Sequence, residues 1–128
     1  DSEELVRRTR ADVLEQMQDF WVLEIDGKVM GCVALHVYPA EGCGELACLY
    51  VHREHENEGH GRKLMAFVDN LAREKGVLQL FALSTQAYKY LQIKGGFRES
   101  SPDIMPAVRR KQYDAGGRQS KVLFKDLA

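Results

Sequence analysis

A chain of 128 residues, 45% of them apolar, can bury one substantial core and is too short for two ordinary domains, so residues 1–128 read as a single domain. Its formal charge of −1 gives no whole-chain field to draw nucleic acid or an anionic membrane, and no apolar stretch approaches the roughly 18 residues of a membrane-spanning helix. The polar N-terminus is unlike a secretory leader. Three cysteines, Cys32, Cys43 and Cys48, lack the paired spacings of disulfide or zinc frameworks, so buried reduced thiols and a cytoplasmic protein are expected.

From Glu4 to Asp19, Leu5, Val6, Val13, Leu14 and Met17 fall among charges at a spacing that predicts a half-buried helix. Two β-prone runs, Phe20 to Ile25 and Lys28 to Leu35, are separated by Asp26-Gly27, a strong hairpin signal. A third run, Glu45 to His52, extends them to an antiparallel meander. At Gly61 the period changes from 2 to 3.6. Leu64, Phe67, Val68, Leu71 and Ala72 then share one helix face, with Arg62, Lys63, Asp69, Asn70 and Arg73 on the other, and Lys75-Gly76 ends the helix. Leu78 to Leu83 reads as a strand buried on both faces, Gln86 to Lys94 as a short helix stopped by Gly95-Gly96, and Phe97 as the start of a return strand. Pro102 onward reads as a basic loop, followed by a β-prone run from Ser120 to Phe124.

Between the meander and the main helix lies Glu56-Asn57-Glu58-Gly59-His60-Gly61-Arg62. Glycines allow close backbone approach, and the first N–H groups of a helix lack partners at the positive end of its dipole, so this turn can cradle a pyrophosphate. An isolated Gly-x-Gly more often makes only a tight turn. Here it follows an antiparallel meander rather than a parallel βαβ unit, and in that setting it resembles the Gln/Arg-x-x-Gly-x-Gly/Ala motif of the GNAT acetyltransferase superfamily, with Glu56 departing from the motif's first position.

Beyond the motif, Gly31-Cys32-Val33-Ala34-Leu35, Gly44-Glu45-Leu46-Ala47-Cys48-Leu49-Tyr50-Val51, Leu80-Phe81-Ala82-Leu83-Ser84-Thr85, Gly96-Phe97 and Arg118-Gln119-Ser120-Lys121-Val122-Leu123 together resemble the acetyltransferase domain of the bacterial N-acetylglutamate synthase family. The resemblance implies an α/β chain of the GNAT (acyl-CoA N-acyltransferase) fold, a mixed, mainly antiparallel sheet flanked by helices. The fold's usual first strand and helix have no room ahead of Glu4. It also implies acetyl transfer from acetyl-CoA to the α-amino group of L-glutamate, the first step of arginine biosynthesis, with no metal and no nucleic-acid or membrane partner. A homo-oligomer and an N-terminal amino-acid-kinase-like domain in a longer chain are compatible with it.

The same resemblance assigns coenzyme binding to the backbone of Leu49 and Val51 and to Asn57, Glu58, Gly59, His60, Gly61 and Arg62. It sets Arg8 against the substrate α-carboxylate, and Arg109, Arg118 and Ser120, helped by the backbone at Cys48, against the side-chain carboxylate. The chemistry is consistent, since an Arg fork matches a carboxylate with two parallel charge-assisted hydrogen bonds. Arg7, Arg10 and Arg110 are expected to be solvated surface charges.

An amino acid's ammonium has no lone pair to attack with, so a base is required. Glu45, a carboxylate in an apolar segment, is the candidate, and desolvation of such a group favours its proton-holding form. A backbone N–H near Leu49 would stabilise the oxyanion if the strand bulges there. By the same resemblance, Ser84, at the end of its strand, would polarise or relay a proton to the departing thiolate. The superfamily's usual Tyr slot is Gln92 here, leaving Tyr90 in reserve. His52, His55 and His60 lack the acidic or Cys partners a metal site needs. Two rivals remain: a GNAT enzyme for another small amine, and a non-catalytic acyl-CoA-binding domain.

Overall fold

The computed structural model describes residues 3–9, 19–52, 59–85, 87–116 and 120–127, the backbone alone for residues 3–9 and 19. Its strands are β1 (Glu3–Thr9), β2 (Asp19–Ile25), β3 (Lys28–Tyr38), β4 (Cys43–Val51), β5 (Gln79–Ser84), β6 (Arg98–Ser100) and β7 (Lys121–Asp126). Helices α1 (His60–Glu74), α2 (Tyr88–Gly95) and α3 (Ala107–Ala115) are interspersed among them. All strands join one sheet in the order β1-β2-β3-β4-β5-β7-β6, antiparallel throughout except for the parallel β4–β5 pair. The mixed, mainly antiparallel architecture expected from the sequence is therefore present.

The hairpin forms where the sequence placed it. Asp26 (φ 52°) and Gly27 (φ 80°) are both left-handed, as a two-residue turn matched to strand twist demands. Two other segments depart from the reading. Glu3–Thr9 is an edge strand paired antiparallel with β2, not a helix, so a strand does precede the hairpin. The helical spacing leaned on Val13, Leu14 and Met17, which lie outside the described residues, and Leu5 and Val6 alone carry too little periodicity to outweigh the pairing edge of β2. Likewise, the basic stretch after Pro102 holds α3, which begins directly after Pro106. Its polar surface hid it, since it carries no buried residue.

Period-two alternation sorts the strands onto two faces. One carries Val33, Leu35, Leu46, Leu80, Ala82 and Leu123, packed against Leu64, Met65, Val68 and Ala72 of α1 and Leu91 of α2. The other carries Cys43, Phe81 and Val122, with Met105, Tyr38, Leu83 and Tyr113 packed around them. Of the predicted β5 segment, Leu80 to Ala82 is buried while Leu78 is exposed. On α1, Asp69 is half-buried and pairs with Lys125 of β7 instead of standing in solvent.

The close approach of α1 to the meander depends on Gly31. A Cβ there would stand 2.6 Å from the Tyr50 carbonyl oxygen and 3.0 Å from Leu64 Cδ1, so backbone rather than a pliable side chain would have to yield. Gly31→Ala should therefore lower stability by about 1–3 kcal/mol. Urea denaturation of both proteins will check this, and an unchanged midpoint would show the sheet relaxing at no cost.

Candidate active site

The sheet opens between its two parallel strands. β4 and β5 pair only at Cys43↔Gln79, Gly44↔Leu80 and Glu45↔Phe81, yet β4 runs on to Val51 and β5 to Ser84. Past Glu45 the two strands share no ladder, a cleft in the pairing of the sheet. Within it β4 bulges: Ala34 pairs with Ala47 and Cys32 with Tyr50, so Val33 alone faces both Cys48 and Leu49. Cys48 takes up the irregularity in a left-handed conformation (φ 55°), unusual for a residue with a side chain. Its carbonyl accepts a bond from the Cys32 thiol at 3.6 Å. The condition set for an oxyanion site near Leu49 is thus met at the level of backbone shape. Cys43 is buried as expected, whereas Cys48 is exposed at this bulge.

The next described element after β4 is α1, which begins at His60. Gly59, the N-cap, has φ 83°, a conformation that favours glycine, and its carbonyl accepts the first helical bond from Lys63 at 3.1 Å. The first turn holds no acidic residue, and Gly59 has no side chain with which to cap it, which suits an anion at this helix end. Gly61 is needed for contact: a Cβ there would lie 1.9 Å from the Tyr90 hydroxyl. Tyr90, held in reserve for the leaving group, thus packs against the helix mouth. Burial raises its phenol pKa, with Arg62 opposing. His60 is buried and Arg62 exposed, while Asn57 and Glu58 lie outside the described residues.

On the α3 face, β4 presents Glu45, 7% exposed, opposite His36 of β3. The carboxylate is not solitary. Arg109 of α3 grips it with a two-point fork, Nε donating to Oε1 at 2.8 Å and Nη2 to Oε2 at 3.2 Å. This bond is the main cause of the raised Arg109 pKa, which burial opposes. Tyr38 shares the face, its ring 4.5 Å from that of His36. Ser120, 4% exposed, lies two positions before Val122 on the same face, its Oγ buried with no hydrogen-bond partner among the described residues. Its carbonyl accepts from the Tyr113 hydroxyl at 2.8 Å, tying α3 to β7.

Ser84 ends β5 across the cleft. Its Oγ accepts from the Ala87 N–H at 2.8 Å, an arrangement that starts α2 and leaves the hydroxyl proton free to be donated elsewhere. The structure thus unites Glu45, Arg109 and Ser120 on one face and Cys48, Leu49, Val51 and Ser84 along the cleft. Arg8 lies on β1, and register aligns it with Phe20, Ala34 and Ala47 in one row across the sheet, separated by the Leu35–Leu46 row from that of His36 and Glu45. Arg118 is outside the described residues. Arg110 bonds Asp103 and Asp114 at the surface, as expected.

Sequence reasoning missed His36, whose buried Nδ1 has no partner among the described residues, and Tyr38. Both occupy alternate positions of β3, a signal usable only once the register against Glu45 is known. Among the described residues no cluster of three or more His, Cys, Asp or Glu side chains could hold a metal, and no helix is long and apolar enough to cross a membrane.

A meander, a bulged strand parting from its parallel neighbour and a glycine-opened helix following that strand define an acyltransferase architecture, and comparison agrees. The family model of the Acetyltransferase (GNAT) family matches residues 1–94, and the chain belongs to that family. Among its relatives, the amino-acid acetyltransferases of Ralstonia nicotianae and Neisseria meningitidis serogroup B are 40% and 37% identical over 123 residues, 96% of this chain in each case. The chain spans only 27% and 28% of their respective lengths. Its structure is similar to that of N-acetylglutamate synthase from Neisseria gonorrhoeae complexed with coenzyme A and N-acetyl-glutamate. The TM-score is 0.80 at 39% identity, over 85% of this chain and 26% of that one. An acyl-CoA N-acyltransferase from Klebsiella pneumoniae, 16% identical, matches over 98% of both chains with a TM-score of 0.73, a likeness of fold.

The electrostatics of the Glu45 face can be read from Tyr38. Burial, and after it the charge of Glu45, push its phenol up to about 12, with Arg109 opposing. The fold thus favours the neutral phenol, a contribution fully present below the ordinary value of 10.0 and lost as pH rises through about 12. Tyr38→Phe should therefore flatten the loss of stability across that alkaline window, measured by denaturation midpoints against pH. Identical alkaline profiles would place Tyr38 in ordinary solvent.

Proposed function

We propose that this chain is the acetyl-transferring unit of an N-acetylglutamate synthase, moving acetyl from acetyl-CoA to the α-amino group of L-glutamate. The observation that carries the reading is the buried Glu45 beside the β4–β5 cleft, with a guanidinium and an open hydroxyl, Arg109 and Ser120, on the same face. A base and carboxylate-binding groups are what acetylation of an acidic amino acid requires. The names of the amino-acid acetyltransferases and of the gonococcal complex support the same substrate pair.

In this reading the N-terminus of α1, with Gly59, His60, Gly61 and Arg62 and the preceding Asn57 and Glu58, receives the pyrophosphate of coenzyme A. The backbone of Leu49 and Val51 lines the path of its thiol arm. Glu45 accepts a proton from the substrate ammonium, and the freed lone pair attacks the thioester carbonyl. The bulged backbone near Leu49 faces the developing oxyanion. As the C–S bond breaks, Ser84 relays a proton to the thiolate, its hydroxyl oriented by the bond from Ala87. Arg8 meets the α-carboxylate, while Arg109, Arg118, Ser120 and the backbone at Cys48 meet the side-chain carboxylate.

Thiol-release kinetics with acetyl-CoA and a panel of amino acids test the proposal. L-Glutamate should be the preferred acceptor, and Glu45→Gln should lower kcat/KM by roughly 10²–10⁴ while coenzyme binding, followed by calorimetry, persists. Preference for a neutral amine would transfer the reading to another small-amine acetyltransferase. Background turnover in both proteins with intact coenzyme binding would make this a non-catalytic acyl-CoA-binding domain.

A further inference from the structure

Glu45 is already engaged. Both of its carboxylate oxygens face the guanidinium of Arg109, a residue of another element 64 positions away in sequence, in a pair whose side chains are only 17% and 9% exposed. An ammonium approaching that carboxylate meets a fixed positive charge, and the fork occupies the edge at which the proton would arrive. We propose that the Glu45–Arg109 pair is a latch that the substrate opens: the side-chain carboxylate of an acidic amino acid takes the Arg109 guanidinium, and Glu45 is thereby released to act as base. The inference rests on the assignment of Glu45 above and adds to it a reason for selectivity at the chemical step.

The exchange is like for like. Arg109 leaves one carboxylate for another of the same charge and geometry, so its guanidinium is never left without an anion. A neutral amino acid offers no replacement, and opening the pair for it would strand a largely buried cation and a buried carboxylate together. Ser120 lies on the same face with an unused Oγ, able to donate to the arriving carboxylate while its own carbonyl stays bonded to Tyr113 of α3. The protons balance: one ammonium proton moves to a Glu45 oxygen, the freed lone pair bonds to the acetyl carbon, and as the C–S bond breaks the second proton shed by that nitrogen passes through Ser84 to the thiolate. Once product leaves, Glu45 gives its proton to solvent and Arg109 returns.

The test compares L-glutamate with its neutral isostere L-glutamine in the natural full-length protein and in Arg109→Gln. Removing the latch should raise KM for glutamate by roughly a hundredfold and at the same time raise kcat for glutamine above the wild-type value. A merely structural role would depress both substrates alike, and equal losses would overturn the proposal. Folding of the variant need not be assumed. In the wild-type protein, the Arg109 Nε–H resonance, assigned by its disappearance in Arg109→Lys, should shift when saturating glutamate is added to the coenzyme A complex and stay put with glutamine. A resonance that glutamate binding leaves unmoved would also overturn the latch. Failure of the wild type to release thiol with any amino acid would instead overturn the functional reading, while the resonance still reports on the exchange.

Discussion

Parallel pairing between β4 and β5 lasts for three residues, and the site follows from its ending there. A strand that leaves its neighbour must satisfy its backbone groups otherwise, and the bulge at Cys48 and Leu49 turns part of β4 out of the regular ladder at that place. The helix α1 is the connection between the two strands, and its N-terminus follows β4 in the chain. Cleft, bulge and helix end are thus three outcomes of one topological decision, to run β5 parallel to β4 through a crossover helix within an otherwise antiparallel sheet.

The two faces of the sheet divide the labour. Under α1 and α2 lies the larger cluster, built mainly from buried aliphatic side chains, and it fixes the register of β3 against β4. Beneath α3 the packing is thinner and mixed, with Tyr38, Cys43, Phe81 and Tyr113 around a charged pair. A polar interior next to a cleft is where a protein gives up some packing for chemistry. Mutual satisfaction keeps it tolerable: removing either member of a buried ion pair costs on the order of 3 kcal/mol, whereas a carboxylate exchanged for another carboxylate leaves the cation paired throughout.

Such a pair also bears on selectivity. Shape alone distinguishes glutamate from glutamine poorly, since the two are nearly isosteric, so discrimination has to come from charge. In the proposed exchange, a cation held by the protein's own carboxylate until a substrate carboxylate replaces it would link recognition at one end of the substrate to proton transfer at the other. The α3 helix that carries Arg109 is short and polar and is fastened through Tyr113 to the Ser120 carbonyl, which links the element of Arg109 to Ser120.

The sequence by itself determined the Asp26-Gly27 hairpin, the main helix from its 3.6-residue period and the glycine turn before it, because each is encoded by neighbours in the chain. It also singled out Glu45, a carboxylate in a segment otherwise apolar, while Ser84 came forward through the family resemblance. It misread Glu3–Thr9, where a strand arises from the waiting edge of β2, and it missed α3, whose charged surface carries no periodic apolar stripe. That Arg109 grips Glu45, that His36 stands opposite it and that Arg8 falls two rows along the sheet were decided only by tertiary structure. Each of those relations joins residues from different elements, and strand register together with helix docking, which local spacing does not encode, sets which of them meet.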